Sequence, residues 1–584
     1  MKKSNYDKYP FIQIEENNHS CCEGWEEVLK TIGGKLDLLD KRLKILVIEC
    51  YQGVDDNELR NKFQIGISHT FWIESTCAFL PENNIHKMVS PDVTEDRVFG
   101  YMTDLCLEDY FDKAKISQFQ DSIKGTNEGT IIIYGPGASL LAPHHDVLVY
   151  ADMPRWEIQM RMRRKEVNSL GLRNKCEDFS HLYKHGFFVD WRVLDRHKKT
   201  LINQWDFLLD STIRLKPKLV KGKALLKALE KVTRQPFRVV PFFDPGPWGG
   251  QWMKEVYDLD RSEINYAWGF DCVPEENSLL LGFGEIKIEI PAINLVFNQP
   301  KALLGQKVYA RFGDEFPIRF DFLDTMDGGN LSLQVHPLTE YIQQTFGMNY
   351  TQDESYYMLD VAEDAFVYLG LKDDVCPDKM IQELKEAQNT GVFHADRHVK
   401  KWPVKKHDHV SIPAGTVHCS GIGSMVLEIS ATPYIFTFKL WDWGRLGLDG
   451  KPRPINIEHG EKVIQWDRTA TWVEKNALNL VEPLASGPGW SEERTGLNEL
   501  EFIETRRHWF KNIVNHDTNG TVNVLNLVQG EEAIVESPNG DFEPFVVHYA
   551  ETFIIPASVG TYTIRPYGNA LGSTCATIKA YVRT

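Results

Sequence analysis

The pattern of apolar residues changes near residue 236, and the two sides of this change must fold in different ways. Before it, short apolar runs rich in β-branched residues alternate with helical patterns, as at Leu43–Glu49, Thr130–Tyr134 and Asp146–Tyr150. Runs of this kind, bounded by glycine and proline, indicate a parallel sheet that is covered on both faces. The sequence therefore predicts an α/β domain over residues 1–235.

After residue 236 the pattern becomes one of short strands and turns. A loop rich in proline and glycine at Pro241–Gly250 marks the boundary. A single helical insertion is predicted at 377–388, beginning with Pro377-Asp378. Strands are predicted at Leu279–Phe283, Ile286–Ile290, Val308–Phe312, Ile318–Phe322, Leu331–Val335, Tyr356–Asp360, Phe366–Leu369, 409–413 and 424–430.

A second all-β stretch at 500–584 weakly repeats the first. Residues 409–418 read His-Val-Ser-Ile-Pro-Ala-Gly-Thr-Val-His, and residues 551–560 read Glu-Thr-Phe-Ile-Ile-Pro-Ala-Ser-Val-Gly. Both segments read as a strand closed by Pro-Ala, and only the first ends in histidine. We therefore predict two small β-barrels, one over 236–460 that carries a site and one over 461–584 that has no metal ligands.

Four residues of the first barrel have the character of metal ligands. Gln334 and His336 lie two apart on a predicted strand, so their side chains face the same side. Glu354 opens another strand, and His418 ends the strand and turn that begins at residue 409. Two imidazoles, a carboxylate and an amide oxygen suit a divalent metal of borderline hardness, most of all zinc. From spacing alone, satisfied polar histidines without a metal are an equal alternative.

These segments resemble the type I mannose-6-phosphate isomerases, a family of zinc-binding cupin enzymes. The resemblance covers roughly residues 240–584 and is carried by Pro247–Gly250, Gln334–Pro337, the acidic residue that opens the next strand, Pro413–His418, Trp441–Arg445 and Asp449–Pro454. It implies a cupin (jelly-roll) fold, one Zn²⁺ per chain, and Gln334, His336, Glu354 and His418 as its ligands.

The resemblance also implies an aldose–ketose isomerase that interconverts mannose 6-phosphate and fructose 6-phosphate through an enediol(ate). Such a reaction needs a group that moves a proton and cations that hold the phosphate. Lys439 and Arg445 are the catalytic candidates, and solvated surface charges are the alternative. The chain departs from the family at Lys439, where relatives usually carry arginine, and at Gln352, where they commonly carry lysine. Glu428 is expected to lie behind the metal ligands.

The N-terminal domain resembles nucleoside and nucleotide kinases in layout. Strand Ile45–Glu49 is followed by Cys50–Asn57, where a phosphate-binding loop would lie, but only Gly53 of that loop's motif is in place. Acidic residues stand where lysine and a hydroxyl would be needed, so we predict a kinase-like fold that has lost catalysis. An unrelated α/β domain is the alternative. Gly135-Pro-Gly137 could bind an anion at a helix start.

Net charge and cysteine content limit the expected partners and cellular compartment of the protein. The formal net charge of −17 disfavours a nucleic-acid partner, and no apolar run has the length of a membrane helix. Ten scattered cysteines form no disulfide framework, and the N-terminus lacks the apolar core of a signal peptide. We expect a cytoplasmic protein with reduced thiols.

Two other functions remain open at this stage. An inert barrel could sense a sugar phosphate without turning it over, and the changes at Lys439 and Gln352 favour this alternative. A cupin oxygenase with iron on two histidines and one carboxylate is the other. The sequence does not determine the oligomeric state.

Overall fold

The computed structural model describes residues 4–14, 20–431, 436–447, 450, 453–496, 498–499 and 501–584. From residue 11 to 232, helices and strands alternate. The elements are β1 (Phe11–Ile14), β2 (Cys21–Glu23), α1 (Trp25–Asp37), β3 (Leu43–Cys50), α2 (Asp56–Gly66), β4 (Phe71–Glu74), α3 (Glu82–Val93), α4 (Lys113–Lys124), β5 (Gly129–Gly135), α5 (Ala138–Leu141), β6 (Val147–Asp152), α6 (Arg155–Arg163), α7 (Phe179–His185), α8 (Trp191–Leu201), β7 (Phe207–Asp210), β8 (Lys218–Lys221) and α9 (Gly222–Val232).

From residue 242 to 476, strands predominate. The elements are β9 (Phe242–Asp244), α10 (Trp252–Val256), β10 (Trp268–Cys272), β11 (Ser278–Phe283), β12 (Ile286–Pro291), α11 (Ile293–Asn298), α12 (Pro300–Leu304), α13 (Gln306–Phe312), β13 (Arg319–Asp324), β14 (Leu333–Val335), α14 (Thr339–Phe346), β15 (Glu354–Val361), β16 (Phe366–Leu371), α15 (Pro377–Thr390), β17 (Val399–Pro403), β18 (His409–Ile412), β19 (His418–Ser420), β20 (Ser424–Ser430), β21 (Phe438–Trp441), α16 (Ile457–Val463) and α17 (Ala470–Asn476).

The remaining described residues form strands only, apart from short turns of 3₁₀ helix. These strands are β22 (Val481–Gly487), β23 (Trp490–Thr495), β24 (Ile503–Phe510), β25 (Val514–Asp517), β26 (Asn523–Gln529), β27 (Glu532–Glu536), β28 (Phe545–His548), β29 (Thr552–Ile555), β30 (Thr561–Pro566) and β31 (Cys575–Val582).

The chain forms two compact units, and each is discontinuous in sequence. The α/β unit comprises Phe11–Lys231 and Ser278–Asn298. The β unit comprises the described residues of Met1–Pro10, Val232–Asn277 and Gln299–Thr584. The predicted domain boundaries at residues 235 and 460 stay predictions. Segments from each side of residue 235 belong to both compact units.

The α/β unit is built on a seven-stranded sheet in the order β2-β8-β7-β6-β3-β5-β4. Strands β4, β5, β3, β6 and β7 run parallel. The continuous apolar sequences of β3, β5 and β6 predict this arrangement. Strands β8 and β2 pair antiparallel at one edge. In the same unit, β1 adds parallel to the β11–β12 hairpin.

The β unit contains two modules, each made of two sheets. The first module packs a six-stranded sheet (β18-β15-β20-β13-β10-β9) against a five-stranded one (β17-β16-β19-β14-β21), and the second packs β22-β23-β24-β31-β26-β29 against β25-β30-β27-β28. A core of residues from both of its sheets, including Phe510, Val535 and Phe553, fills the second module. Strands β18 and β29 each end directly before Pro-Ala, the echo seen in the sequence.

One predicted strand, Val308–Phe312, was wrong. The segment is the helix α13, in which only Val308 is buried. Gly305 and Gly313 flank it with positive φ angles of 91° and 63°, which permits a sharp entry and exit. The helix-forming residues of Gln-Lys-Val-Tyr-Ala-Arg-Phe outweigh the β-branched and aromatic side chains that suggested a strand.

Two further expectations bear on the setting. All ten cysteines are unpaired, which agrees with the expected free thiols. None of the described helices combines the length and apolar character that crossing a membrane requires.

Candidate metal centre

Three strands of the first module bring the four predicted ligands to one place. Gln334 of β14 is paired in register with His418, the first residue of β19. His336 directly follows β14, and Glu354 is the first residue of β15 in the opposite sheet. Residues paired across neighbouring strands project from the same face, so the Gln334 and His418 side chains are neighbours inside the module.

The ligand atoms converge closely. Glu354 Oε2 lies 3.0 Å from His336 Nε2, and Glu354 Oε1 lies 2.8 Å from His418 Nε2. One donor atom from each of these three residues lies within 4.8 Å of the others, and all three side chains are buried. The Gln334 amide nitrogen is 3.2 Å from His418 Nε2. Exchanging the nitrogen and oxygen of this amide would turn its oxygen toward the same point.

Backbone carbonyls fix which imidazole nitrogens face the centre. His336 Nδ1 lies 2.8 Å from the Phe436 carbonyl oxygen, and His418 Nδ1 lies 2.8 Å from that of Thr416. Each Nδ1 must carry the hydrogen and donate it, so each Nε2 presents a lone pair to the Glu354 carboxylate. Lone pairs that face one another repel unless a cation or proton lies between them. The donor set therefore fits a divalent metal.

Unsatisfied polar atoms support this fit. Within the described part of the chain, neither His336 Nε2 nor Glu354 Oε1 has a hydrogen-bond partner of proper geometry. A buried polar atom without a partner costs free energy, so its retention calls for a ligand. Burial alone would raise the pKa of Glu354, but a proton shared with the His336 and His418 imidazoles holds this pKa well below its usual value. The carboxylate is therefore ionised and available to a cation.

Gln352 ties a metal-facing carboxylate to a second acid. Its amide nitrogen donates to Glu354 Oε2 at 2.8 Å and to Glu428 Oε1 at 3.3 Å, and its oxygen accepts from the Phe436 N–H at 3.3 Å. Burial, then the charges of Asp321 and Glu354, raises the pKa of Glu428 well above its usual value. Glu428 therefore lies behind the ligands, where a neutral glutamine faces it.

Lys439 lies on the strand next to that of Gln334. It belongs to β21, and its register partner on β14 is Gln334. The two side chains therefore project from the same face, with Gln334 between Lys439 and His418. The structure thus brings the predicted catalytic lysine next to one predicted metal ligand, Gln334.

Arg445 is held by an acid that the sequence did not single out. Asp442 accepts from Arg445 Nη2 at 2.5 Å through Oδ1 and from Arg453 Nη1 at 2.6 Å through Oδ2. Ser332, two residues before Gln334, also donates to Asp442 Oδ1. Two guanidinium groups share one carboxylate, so the cluster keeps a net positive charge. Arg453 lies within the Asp449–Pro454 segment, of which 449, 451 and 452 lie outside the described residues.

In the α/β unit, the predicted anion site is occupied by the protein itself. Glu49, at the end of β3, accepts hydrogen bonds from the backbone N–H groups of Gly137 and Ser139. At the end of β6, Asp152 forms a buried ion pair with Lys198 at 2.9 Å. Arg161, from the basic cluster after β6, donates to backbone carbonyls of this unit. The kinase-like assignment stays a prediction.

Comparisons with known proteins find different relatives for the N-terminal and C-terminal parts of the chain. Residues 24–234 match a family described as "Domain of unknown function (DUF8485)". The C-terminal part is similar to mannose-6-phosphate isomerases. The mannose-6-phosphate isomerase ManA of Bacillus subtilis (strain 168) is 25% identical over 240 residues, which cover 40% of this chain and 69% of that protein.

Other relatives carry the same name. The mannose-6-phosphate isomerase of Streptococcus mutans serotype c is 26% identical over 237 residues, which cover 40% of this chain and 69% of the relative. Among solved structures, the mannose 6-phosphate isomerase from Bacillus subtilis aligns with a TM-score of 0.49 at 16% identity, covering 59% of this chain and 99% of that one.

Proposed function

We propose that this chain is a zinc-dependent aldose–ketose isomerase that interconverts mannose 6-phosphate and fructose 6-phosphate through an enediol(ate). The observation that carries the proposal is the lone-pair convergence of His336, His418 and Glu354, on a part of the chain that is similar to mannose-6-phosphate isomerases. Zinc suits two imidazoles, a carboxylate and an amide oxygen, with a position left for substrate. In this proposal, the first β module, which carries the metal site, has a cupin fold.

The residues that hold the metal are Gln334, His336, Glu354 and His418. A bound metal supplies a Lewis acid beside the sugar oxygens on which negative charge develops. The Phe436 and Thr416 carbonyls keep both imidazoles in the tautomer that binds a cation. Because the ligands are already positioned by strand pairing, little reorganisation is needed when a metal enters.

Lys439 supplies the second positive charge of the proposed site. The reaction moves a proton between C1 and C2 of the open-chain sugar, and the negative charge that builds on the sugar oxygens needs a cation close by. Lys439 shares its face with Gln334, so its ammonium can reach a substrate that lies on the metal. Lysine acts here as a point charge and does not reproduce the bidentate fork of arginine.

The Arg445–Arg453 pair is the proposed phosphate site. Both guanidiniums are partly exposed, and Asp442 neutralises only one of the two charges. A phosphate dianion can add to the open edges of such a pair through charge-assisted hydrogen bonds. Asp442 and Ser332 link this pair to strand β14, so the phosphate would be held at a fixed distance from the ligands on that strand.

A sugar-phosphate sensor without turnover is the second candidate. It is favoured by Gln352, which places an uncharged amide between Glu354 and Glu428 where the isomerases commonly carry lysine. Such a protein would bind zinc and sugar phosphate through the same residues. An iron oxygenase is distinguished by its metal and by oxygen uptake.

The test measures bound metal and turnover on the same samples of the full chain. We expect one zinc per chain and zinc-dependent conversion of mannose 6-phosphate to fructose 6-phosphate. His418→Ala should lose the zinc and slow turnover about a thousandfold, since it removes several kcal/mol of charge stabilisation. His394→Ala, at an exposed histidine of the same module, is the matched control and should leave both unchanged.

Each result has one meaning. Zinc at full occupancy without turnover of mannose 6-phosphate would exclude the isomerase and leave the sensor, which calorimetry with the sugar phosphate would then detect. Iron with oxygen uptake would favour the oxygenase. Zinc binding that survives His418→Ala would contradict the assigned ligands.

A further inference from the structure

The second β module contains a buried polar cluster of its own. Strand register shows that two of its members, His508 and Lys579, face the interior. His508 pairs with Thr577, which in turn pairs with the core residue Leu527. Lys579 pairs with the core residue Leu525. The cluster consists of His508 on β24, His516 on β25, Asn523 on β26, Tyr562 on β30 and Lys579 on β31. None of these residues belongs to the metal centre of the first module.

Ring contacts hold the two histidines in place. The centroids of the His508 and His516 rings lie 4.5 Å apart, and His516 stacks on Tyr562 at 5.0 Å with an interplanar angle of 10°. The Tyr562 hydroxyl donates to Asn523 Oδ1 at 3.0 Å. The imidazoles are therefore fixed by aromatic packing, and their nitrogens are left for other partners.

Lys579 is a buried cation that forms no ion pair with any described residue. Its residue is 6% exposed, and among the described residues no carboxylate oxygen lies within 4.0 Å of its ammonium. Glu492 and Glu504, two acids whose charges act on Lys579, are engaged by Arg506 at 2.8 and 2.7 Å. Burial lowers the pKa of Lys579 to about 8, so the ammonium stays mostly charged at neutral pH. An unpaired buried charge is costly and calls for an anion.

The imidazole nitrogens define the rest of the ligand. His508 Nε2 faces Glu492 Oε1 at 3.4 Å, so Nε2 carries the hydrogen and Nδ1 is an acceptor. Within the described residues, neither His508 Nδ1 nor His516 Nε2 has a hydrogen-bond partner. Burial lowers the pKa of both histidines, which keeps the rings neutral. The site thus offers an ammonium to an anionic oxygen and a ring nitrogen to a hydroxyl.

We propose that the second module binds a small oxyanion that also carries a hydroxyl group, such as hydrogen phosphate or a phosphate monoester, between Lys579, His508 and His516. The anionic oxygens accept from the Lys579 ammonium, and the hydroxyl donates to His508 Nδ1. Inorganic phosphate and a sugar phosphate share this chemistry. The site is separate from the isomerase site of the first module and does not depend on that assignment.

The experiment titrates the full chain with inorganic phosphate by calorimetry, beside sulfate. Sulfate has similar size and ionic character but no hydroxyl at neutral pH, so it also controls for general salt effects. We expect phosphate to bind at least tenfold more tightly than sulfate. A parallel titration with a sugar phosphate shows whether the hydroxyl comes from the phosphate itself or from the sugar.

Lys579→Met should weaken phosphate binding at least tenfold and raise the melting temperature, because it removes the unpaired charge while keeping the length of the side chain. Lys511→Met, at an exposed lysine of the same module, should change neither. His516→Phe keeps the stack on Tyr562 and deletes the nitrogen, so the preference for phosphate over sulfate should fall. Turnover of mannose 6-phosphate without added phosphate should be the same in all of these variants.

Phosphate affinity that is unchanged in both Lys579→Met and His516→Phe would overturn the proposal. Equal affinity for sulfate would overturn the assignment of the hydroxyl. If Arg445→Ala loses turnover but still binds phosphate, only the isomerase site is affected. The two proposals can therefore be tested independently of each other.

Discussion

The hydrogen-bond partners of each imidazole decide whether a histidine can bind a metal. In His336 and His418 a backbone carbonyl takes the Nδ1 hydrogen, and the other nitrogen is left to a buried carboxylate. In His409, on the strand next to that of Glu354, both nitrogens are satisfied, by Thr495 Oγ1 and Ser355 Oγ at 2.9 Å each. A strand histidine of this kind is a structural residue, although its sequence context is similar.

His409 predicts an acid-dependent loss of stability. Burial, then the charge of Arg507, lowers the pKa of His409 to about 3. The unfolded chain takes up this proton near pH 6.5 and the folded chain only near pH 3, so stability that is complete above pH 6.5 is lost as the pH falls through that window. The loss amounts to about 2–3 kcal/mol by about pH 4.5.

The corresponding measurement is urea unfolding at neutral and at mildly acidic pH. His409→Gln can keep a hydrogen bond on each side without titrating, so its stability should fall less on acidification than that of the unmodified protein, by the same 2–3 kcal/mol. His394→Gln, at the exposed histidine, should follow the unmodified protein. An identical fall in His409→Gln would show that this histidine does not carry the effect.

At the scale of elements, periodicity and strand alternation account for much of what could be predicted. The apolar runs of β3, β5 and β6 were recognised because a buried parallel strand has few other sequence patterns. Gln334 and His336 were placed together because side chains two apart share a face. The Asp442 cluster could not be foreseen, since Arg453 lies 11 residues further along the chain than Asp442 and no local pattern encodes a contact at this spacing.

The helical insertion α15 ends at a glycine with a positive φ angle, and substitution of this glycine tests its role. Its C-terminal cap, Gly391, has φ 71° and closes the helix with a hydrogen bond to Ala387 O. A Cβ at this position would meet nothing within 4 Å, so only backbone strain opposes a side chain. Gly391→Ala should therefore lower the free energy of unfolding by about 1 kcal/mol, and Gly391→Asn by less.

A matched glycine serves as the control for this effect. Gly125 caps α4 with φ −75°, a conformation that alanine adopts freely. Gly125→Ala should leave the melting temperature unchanged or raise it slightly, because alanine has less freedom in the unfolded chain. Equal destabilisation by both substitutions would mean that positive φ is not the cause.

At the scale of the whole molecule, the two units exchange segments that are distant in sequence. Residues 278–298 supply Asn294, which donates to Asp152 at 3.0 Å in the α/β unit. The N-terminal residues before Phe11 belong to the β unit, where the Asp7 N–H donates to Glu551 at 2.7 Å. Sequence patterns report local periodicity, so they predicted one cut near residue 235 and could not reveal contacts across more than 500 residues.

The N-terminal segment should stabilise the β unit through Tyr6. This residue is 6% exposed, stacks on Tyr257 with ring centroids 4.0 Å apart, and donates its hydroxyl to Asp271 Oδ1 at 2.8 Å. Tyr6→Ala leaves a cavity and a buried carboxylate with one partner fewer. The free energy of unfolding should fall by about 3–5 kcal/mol. Tyr6→Phe, which loses only the hydrogen bond, should cost about 1–2 kcal/mol.

Scanning calorimetry of the full chain measures this effect. Removal of zinc is expected to shift the melting transition of the β unit, and this shift identifies which transition belongs to that unit. Tyr6→Ala should lower that transition and leave the other in place. Tyr9→Ala, in the same segment at a residue that is 67% exposed, should move neither. A Tyr6→Ala protein that melts like the Tyr9→Ala control would show that the Tyr6 side chain does not stabilise the β unit.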